Sequence, residues 1–293
     1  MNNSVIIQAL GTAQDGGYPQ PCCSCPHCRE AVQNPDLNRL QSSVGLLDRE
    51  EKKTFILDIT PAFPGQIKIL NKLAANEGLS DDHFSGVMLT HAHMGHYTGL
   101  MYLGKEVLNT VNLPVYLSKA MLNFLENNAP WSDLIENRNI KAIILNENKK
   151  VQVSKNISIR GITVPHRNEH ADTLAFMVEA GKRSFLYLPD FDHWGGFIDD
   201  FKKILKEVDF ALIDGTFYDR TELQQFRGRD LKQVPHPPIM ETMELLSDLS
   251  IEEKQKIIFT HFNHTNRILE RDGAAKKNVE ERGYRLLKEE EIL

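Results

Sequence analysis

Outside residues 22–28 the chain contains no cysteine: all four thiols lie in Cys22-Cys23-Ser24-Cys25-Pro26-His27-Cys28. A disulfide framework needs partners spread along the chain, so this distribution excludes one. No apolar run approaches the roughly 18 residues of a membrane span, which excludes a helical membrane protein. A surplus of positive charge is also missing. The net charge is −6 and the pI near 6.0, which argues against a nucleic-acid binder driven by bulk charge. Met1-Asn2-Asn3-Ser4 lacks the basic n-region and apolar core of a secretory signal, so a cytoplasmic location is expected. Internal repeats, low-complexity tracts and linkers are absent too. The 293 residues, 41% hydrophobic and 25% charged, are therefore expected to form one domain with a substantial core.

What the chain does have is histidine at high local density. Thr90-His91-Ala92-His93-Met94-Gly95-His96 follows an apolar run over residues 84–89 and precedes a helix-like stretch over 97–108. His91 and His93 alternate by two, which sends both imidazoles to one side of an extended segment. His96 follows where the helix should begin. Two imidazoles on one side and a third nearby make a metal site the leading reading.

The cysteine cluster points the same way. Cys23-x-Cys25-x-x-Cys28 offers three thiolates on a tight knuckle, and a closed zinc site needs a fourth ligand from elsewhere. His27 is local, but its neighbours already ligate, so it is a poor fourth. Cys22 is the spare thiol.

Along the chain, strands are expected at 4–10, 44–47, 54–58, 84–89 and 115–117, with helices at 61–76, 97–108 and 119–127. The loop Gly11-Thr12-Ala13-Gln14-Asp15-Gly16-Gly17 is rich in glycine. It lacks the spacing of a phosphate-cradling motif, and is expected to approach the mouth of the site. Beyond residue 140 the pattern turns to short strands at 142–145, 151–153, 157–164, 173–179, 184–188, 210–213, 256–260 and 284–287. Helices are expected at 201–206, 239–249 and 274–281. Residues 218–238 read as a variable, substrate-facing loop.

Chemistry-bearing residues recur at strand ends: Asp58, His91, His93, His96, His166, Asp190 and His261. Sheet edges are where layered α/β proteins place their sites. Asp58 could orient a ligand imidazole or simply cap its strand. The strand order suggests an α+β sandwich of two sheets flanked by helices.

This set resembles the metallo-β-lactamase fold superfamily, whose turn reads H-x-H-x-D-H. The resemblance implies an αββα sandwich with up to two metals. It places His91, His93 and His166 on the first, His96 and His261 on the second, and Asp190 between them. His170 is the alternative to His166. Gly16-Gly17-Tyr18-Pro19-Gln20, Asp214-Gly215-Thr216-Phe217 and Thr265-Asn266-Arg267-Ile268-Leu269 are similar to the pyrroloquinoline quinone biosynthesis protein B family. The knuckle with His261-x-x-His264 also resembles the phosphoribosyl cyclic phosphodiesterases of phosphonate metabolism. That likeness implies a structural zinc on Cys23, Cys25, Cys28 and His264.

Gly95 departs from the pattern, because it stands where the family has an aspartate. Three outcomes follow: Asp192 or Glu169 supplies the carboxylate, one metal suffices on His91, His93, His166 and Asp190, or the site binds metal without turnover. The activity implied is metal-dependent hydrolysis of a small ester or phosphodiester. Zinc is the expected active-site ion, with iron or manganese as alternatives. Asp190 would accept a proton, and His236 or His193 would protonate the leaving group. An iron-using oxidative role and a zinc-stabilised binding protein with a decayed site are the competing readings. A small-molecule substrate is expected, with neither nucleic acid nor membrane as partner. His83 reads as a surface residue.

Overall fold

Period-two alternation decides which way each strand of this molecule faces. The computed structural model describes residues 3–79, 84–225, 235–271 and 273–293. In β1 (Val5–Gly11), Val5, Ile7 and Ala9 enter one apolar layer while Ile6 and Leu10 enter another. The same split recurs in a strand far along the chain, Phe210–Asp214. There Phe210 and Leu212 share the layer of Val5, whereas Ala211 and Ile213 face outward. Strands apolar on both faces need cover on both faces, which dictates a layered architecture.

Two sheets supply it. The first holds β1, β2 (Ser43–Asp48), β3 (Lys53–Leu57), β4 (Phe84–Met88), β5 (Leu113–Leu117) and β6 (Ile140–Ile144), side by side in chain order. The second holds β7 (Lys150–Gln152), β8 (Ile157–Thr163), β9 (Leu174–Ala180), β10 (Arg183–Leu188), β11 (Phe210–Asp214), β12 (Ile257–Thr260) and β13 (Arg285–Leu286), also in chain order. Between the sheets pack Leu46, Phe55, Phe176, Phe185, Tyr187 and Leu212, all fully or almost fully buried. Each such side chain contributes about 1.5–3 kcal/mol by leaving water.

Helices cover the outer faces. On the first sheet lie α2 (Phe63–Asn76), α4 (Lys119–Glu126) and α5 (Trp131–Glu136); the short α1 (Pro26–Gln33) precedes α2, and the short α3 (Met94–Tyr97) lies between α2 and α4 in the chain. On the second lie α6 (Ile198–Glu207), α7 (Ile239–Leu245) and α9 (Ala274–Glu281), with α8 (Ile251–Gln255) between the last two. The result is an αββα sandwich. None of the described helices is long and apolar enough to cross a membrane.

Strand direction sets where chemistry collects. β3 to β6 run parallel, and β1 shares their direction because β2 is antiparallel to both β1 and β3. β10, β11 and β12 are parallel, and β8 joins them through the antiparallel β9. The residues that follow β1, β3, β4, β8, β10, β11 and β12 therefore gather at one edge.

The helix expected over 97–108 is not formed as such. α3 passes into a 3-10 turn at Thr98–Leu103, and the chain then turns. Tyr97, Leu100 and Leu103 are the buried large apolar residues there. A spacing of three suits a 3-10 turn rather than a long α-helix. The short helices α1, α5 and α8 add to the elements read from sequence. The variable loop expected at 218–238 is described only over 218–225 and 235–238, and His83 lies outside the described residues.

Candidate metal centre

The edge site is built from strand ends, and its outer hydrogen bonds decide which nitrogen of each histidine is free. Asp58, just past β3, has a left-handed φ of 59° that turns its carboxylate toward the loop after β4. Its Oδ1 accepts Thr90 N–H at 2.9 Å, and the Thr90 hydroxyl donates to the same carboxylate at 2.9 Å. With that proton committed, the Thr90 oxygen accepts from His91 Nδ1 at 2.9 Å. His96 Nδ1 donates to Asp58 Oδ2 at 2.7 Å. His166 Nδ1 donates to Asp192 at 2.8 Å, His93 Nε2 to Glu169 at 3.0 Å and His261 Nδ1 to Thr216 Oγ1 at 2.9 Å.

Every one of these five imidazoles thus spends its outer nitrogen on a partner and aims the other inward, which is how proteins orient metal ligands. The inner atoms converge on Asp190, which follows β10. Its Oδ2 is 3.3 Å from His91 Nε2, 3.4 Å from His166 Nε2, 3.8 Å from His96 Nε2 and 3.9 Å from His93 Nδ1. Among the described residues, His91 Nε2, His96 Nε2, His261 Nε2 and Asp15 Oδ1 are buried without a hydrogen-bond partner. Orphaned polar atoms in a dry site cost free energy unless something satisfies them together, and a cation does so for all of them. Among the described residues, the groups with ligand spacing are His91, His93, His166 and Asp190; Asp15, His96 and His261; and Asp190, His236 and His261.

Asp15 is the site residue that the sequence did not disclose. It sits in the loop after β1, which Gln14 N–H fixes to Phe262 O at 2.9 Å and Gln41 Nε2 fixes at Asp15 O at 3.1 Å. Its Oδ1 lies 3.5 Å from His96 Nε2 and 3.9 Å from His261 Nε2. A Cβ added at Gly95 would stand 2.0 Å from that same Oδ1. The expected stand-ins Asp192 and Glu169 do not fill this place, because each bonds the outer nitrogen of a histidine. The carboxylate that lies beside His96 and His261 is that of Asp15. Asp58 orients Thr90 and His96, beyond a mere strand cap. His170 is exposed against Phe124, with ring centroids 5.3 Å apart, and takes no part in the centre.

Electrostatics agree with the geometry. Burial disfavours charge on Asp15 and Asp190, yet the facing imidazoles outweigh it and hold both well below the usual carboxylate range. Burial, with His96 nearby, drives His91 well below its usual value. His96 is also opposed by burial, but Asp58 and Asp15 hold it well above. The two carboxylates favour a positive charge at that imidazole, which a metal ion on Nε2 would supply in place of the proton. His236, opposed by burial and favoured by Asp214 and Asp190, rises to about 9. Its Nδ1 is 2.7 Å from Asp214 and 3.2 Å from Asp190. His236 also lines a cleft of about 370 Å³ with Arg167, Asp192, Trp194 and Arg220, and the exposed His193 stands on the same wall.

The second cluster lies under the loop that carries Asp15. His264 Nδ1 is 3.5, 3.6 and 3.5 Å from the sulfurs of Cys23, Cys25 and Cys28. A tetrahedral zinc with Zn–S of about 2.3 Å and Zn–N of about 2.0–2.1 Å has S···N edges of about 3.6 Å. The near-equal distances fit that tetrahedron. Backbone N–H groups of Gln20, Cys25 and Cys28 point at the sulfurs of Cys28, Cys23 and Cys25, each at 3.4 Å. His27 is spent on His264 O at 3.1 Å and Cys22 is exposed, so neither belongs to the cluster.

Asp58→Asn replaces an acceptor by a donor facing Thr90 and His96. Active-site metal affinity, measured by chelator competition, is expected to fall about 10–100-fold, the usual effect of losing an outer partner.

The model of the Beta-lactamase superfamily domain matches residues 55–262. Coenzyme PQQ synthesis protein B of Methylobacillus flagellatus is 24% identical over 303 residues, covering 94% of this chain and 95% of its own. That of Methylorubrum extorquens is 24% identical over 296 residues, covering 95% and 96%. Among solved structures, zinc-bound PqqB from Methylobacterium extorquens matches with a TM-score of 0.79 at 21% identity, over 98% of this chain and 99% of that one. A diphosphatase of the PhnP family matches at 0.66 and 18% identity, over 99% and 96%. At these identities the two structures speak to the fold.

Proposed function

We infer, from the premise that the chain belongs to the Beta-lactamase superfamily domain family, that it is a metal-dependent hydrolase of a small anionic ester, with phosphodiesters the favoured class. The observation that carries this reading is the set of inward-aimed nitrogens of His91, His93, His96, His166 and His261 around Asp190, beside a cleft lined by Arg167 and His236. A divalent ion held there would supply an activated water of pKa near ~7 and polarise the bond under attack.

The chain's own groups do the rest. His91, His93, His166 and Asp190 would hold one ion, and His96, His261 and Asp190 would face a second. Arg167 on the cleft wall orients an anionic substrate by charge, while Arg220 is held in an ion pair with Glu241 of the same wall. Asp190 accepts the proton of the attacking water. His236, buried between Asp190 and Asp214 at the cleft, gives a proton to the leaving-group oxygen. The left-handed φ values of His236 and His261, 73° and 63°, are backbone strain of about 1–3 kcal/mol each, spent at the site. Cys23, Cys25, Cys28 and His264 hold a structural zinc.

The likeness to Coenzyme PQQ synthesis protein B favours a second reading, an iron-using oxidative step in making that quinone cofactor. Three histidines and a carboxylate suit iron as well as zinc. Protein loaded with zinc, manganese or iron separates the two. Turnover of bis(p-nitrophenyl) phosphate that a chelator abolishes and zinc or manganese restores is the expected result. Inert zinc protein, with oxygen consumption by the iron form, would transfer the assignment to the oxidative reading.

A further inference from the structure

The exchange at Gly95 has a partner elsewhere in the chain. A side chain at residue 95 has no room, because its Cβ would meet Asp15 Oδ1 at 2.0 Å, Asp15 Cγ at 2.7 Å and Asp15 Cα at 2.8 Å. Asp15 therefore occupies the volume in which a carboxylate carried by the histidine turn would sit. Its Oδ1 is buried, has no hydrogen-bond partner, and faces His96 Nε2 at 3.5 Å and His261 Nε2 at 3.9 Å, both likewise unpartnered. Two acceptor nitrogens and an acceptor oxygen turned toward one another are a ligand set, and they repel unless a positive charge lies between them.

The loop is held to this purpose by backbone. Thr12 O accepts Phe262 N–H at 2.8 Å and Phe262 O accepts Gln14 N–H at 2.9 Å, so Asp15 emerges beside His261 by pairing rather than by chance of rotamer.

We propose that Asp15 is the carboxylate ligand of the second active-site cation, and that residues 15 and 95 are interchangeable as a pair. The ligand has moved from the turn after β4 to the loop after β1, and glycine at 95 is what makes room for it. The proposal rests on the two-ion reading above and deepens it. It replaces a reading in which Gly95 leaves the second ion short of negative charge, since Asp15 restores the lost charge from another element.

The test uses the full chain as Asp15→Gly, Asp15→Asn, Gly95→Asp and the double swap. Bound zinc per chain is measured after equilibrium dialysis, and affinity by chelator competition. Asp15→Gly is expected to hold one ion fewer than the parent, with the second ion weakened about 100-fold or more, exceeding the effect of an outer partner. Gly95→Asp alone also loses that ion, because its side chain collides with Asp15. The double swap regains the parent's count.

Retention of the knuckle zinc and of the parent's melting temperature shows that a variant is folded. Should Asp15→Gly fail that control, the isosteric Asp15→Asn decides in its place, with the same expected loss. Parent-like count and affinity in the folded Asp15 variant would overturn the proposal while leaving the metal centre standing. A parent that binds only the knuckle ion would overturn both.

Discussion

Asp190→Ala is expected to cut phosphodiester turnover by about 10³-fold or more, some 4 kcal/mol of lost transition-state stabilisation at about 1.36 kcal/mol per decade. The size follows from position. One carboxylate oxygen lies within 3.3–3.9 Å of the inner nitrogens of His91, His93, His96 and His166, and the other is 3.2 Å from His236. Removing it takes the one carboxylate from the group of His91, His93 and His166 and leaves His96 and His261 with Asp15 alone, so charge compensation falls at both ion positions. The side chain also accepts the proton in the proposed step, so binding and chemistry fail at once. The fold is not at stake, because β10 is held by Phe185, Leu186, Tyr187 and Leu188, all fully buried. A steady-state assay with a thermal melt on the same sample checks the prediction. Activity within tenfold of the parent would remove Asp190 from the centre of the mechanism.

Cys28→Ser should instead strike stability. Cys28 is fully buried, and its sulfur completes the set of near-equal distances around His264. Zinc in small metal-dependent folds contributes about 10–16 kcal/mol to folding. Here the sandwich has its own core, so only the part that fixes residues 18–28 to the sheet edge is lost. We expect a loss of about 3–5 kcal/mol, or roughly 10 °C in melting temperature at about 2–4 °C per kcal/mol for large domains. The same reasoning applies to Cys25→Ser. His93→Ala, at a partly buried side chain beside Asp190, should melt within a few degrees of the parent and lose its turnover. If the cysteine and histidine variants unfolded alike, the division into a structural and a reactive centre would fail.

Much of this was legible in the chain because it is local. The spacing in His91-x-His93-x-x-His96 places its rings by backbone geometry alone, and Cys23-x-Cys25-x-x-Cys28 announces a thiolate site by density. The alternation that puts Val5 and Ile7 on one face and Ile6 on the other is likewise a period-two signal. His261 was marked only by its place at a strand end, and its role and that of His264 came from a family resemblance.

What escaped reading is what depends on contact across the fold. Asp15 lies in a loop whose glycines suggested close approach to the site, but no local pattern says that its carboxylate fills the space beside Gly95. The clue available in sequence was the paired oddity: an aspartate in one loop and a missing one in another. The stretch after the histidine turn was misread for a related reason. Gly99 would place a Cβ 2.3 Å from Thr60 O, and its N–H donates to Ile59 O at 3.0 Å. That close approach to the chain after β3 favours a tight 3-10 turn over the α-helix that the apolar spacing suggested.

The central claim is that cations sit among Asp190, its facing histidines and Asp15, apart from the cysteine knuckle. Anomalous X-ray diffraction at the zinc absorption edge, on crystals of zinc-loaded protein, tests it most directly. One peak is expected among Cys23, Cys25, Cys28 and His264, a second among His91, His93, His166 and Asp190, and a third among Asp15, His96 and His261. A peak at the knuckle alone, with the histidine cluster empty at saturating zinc, would contradict it.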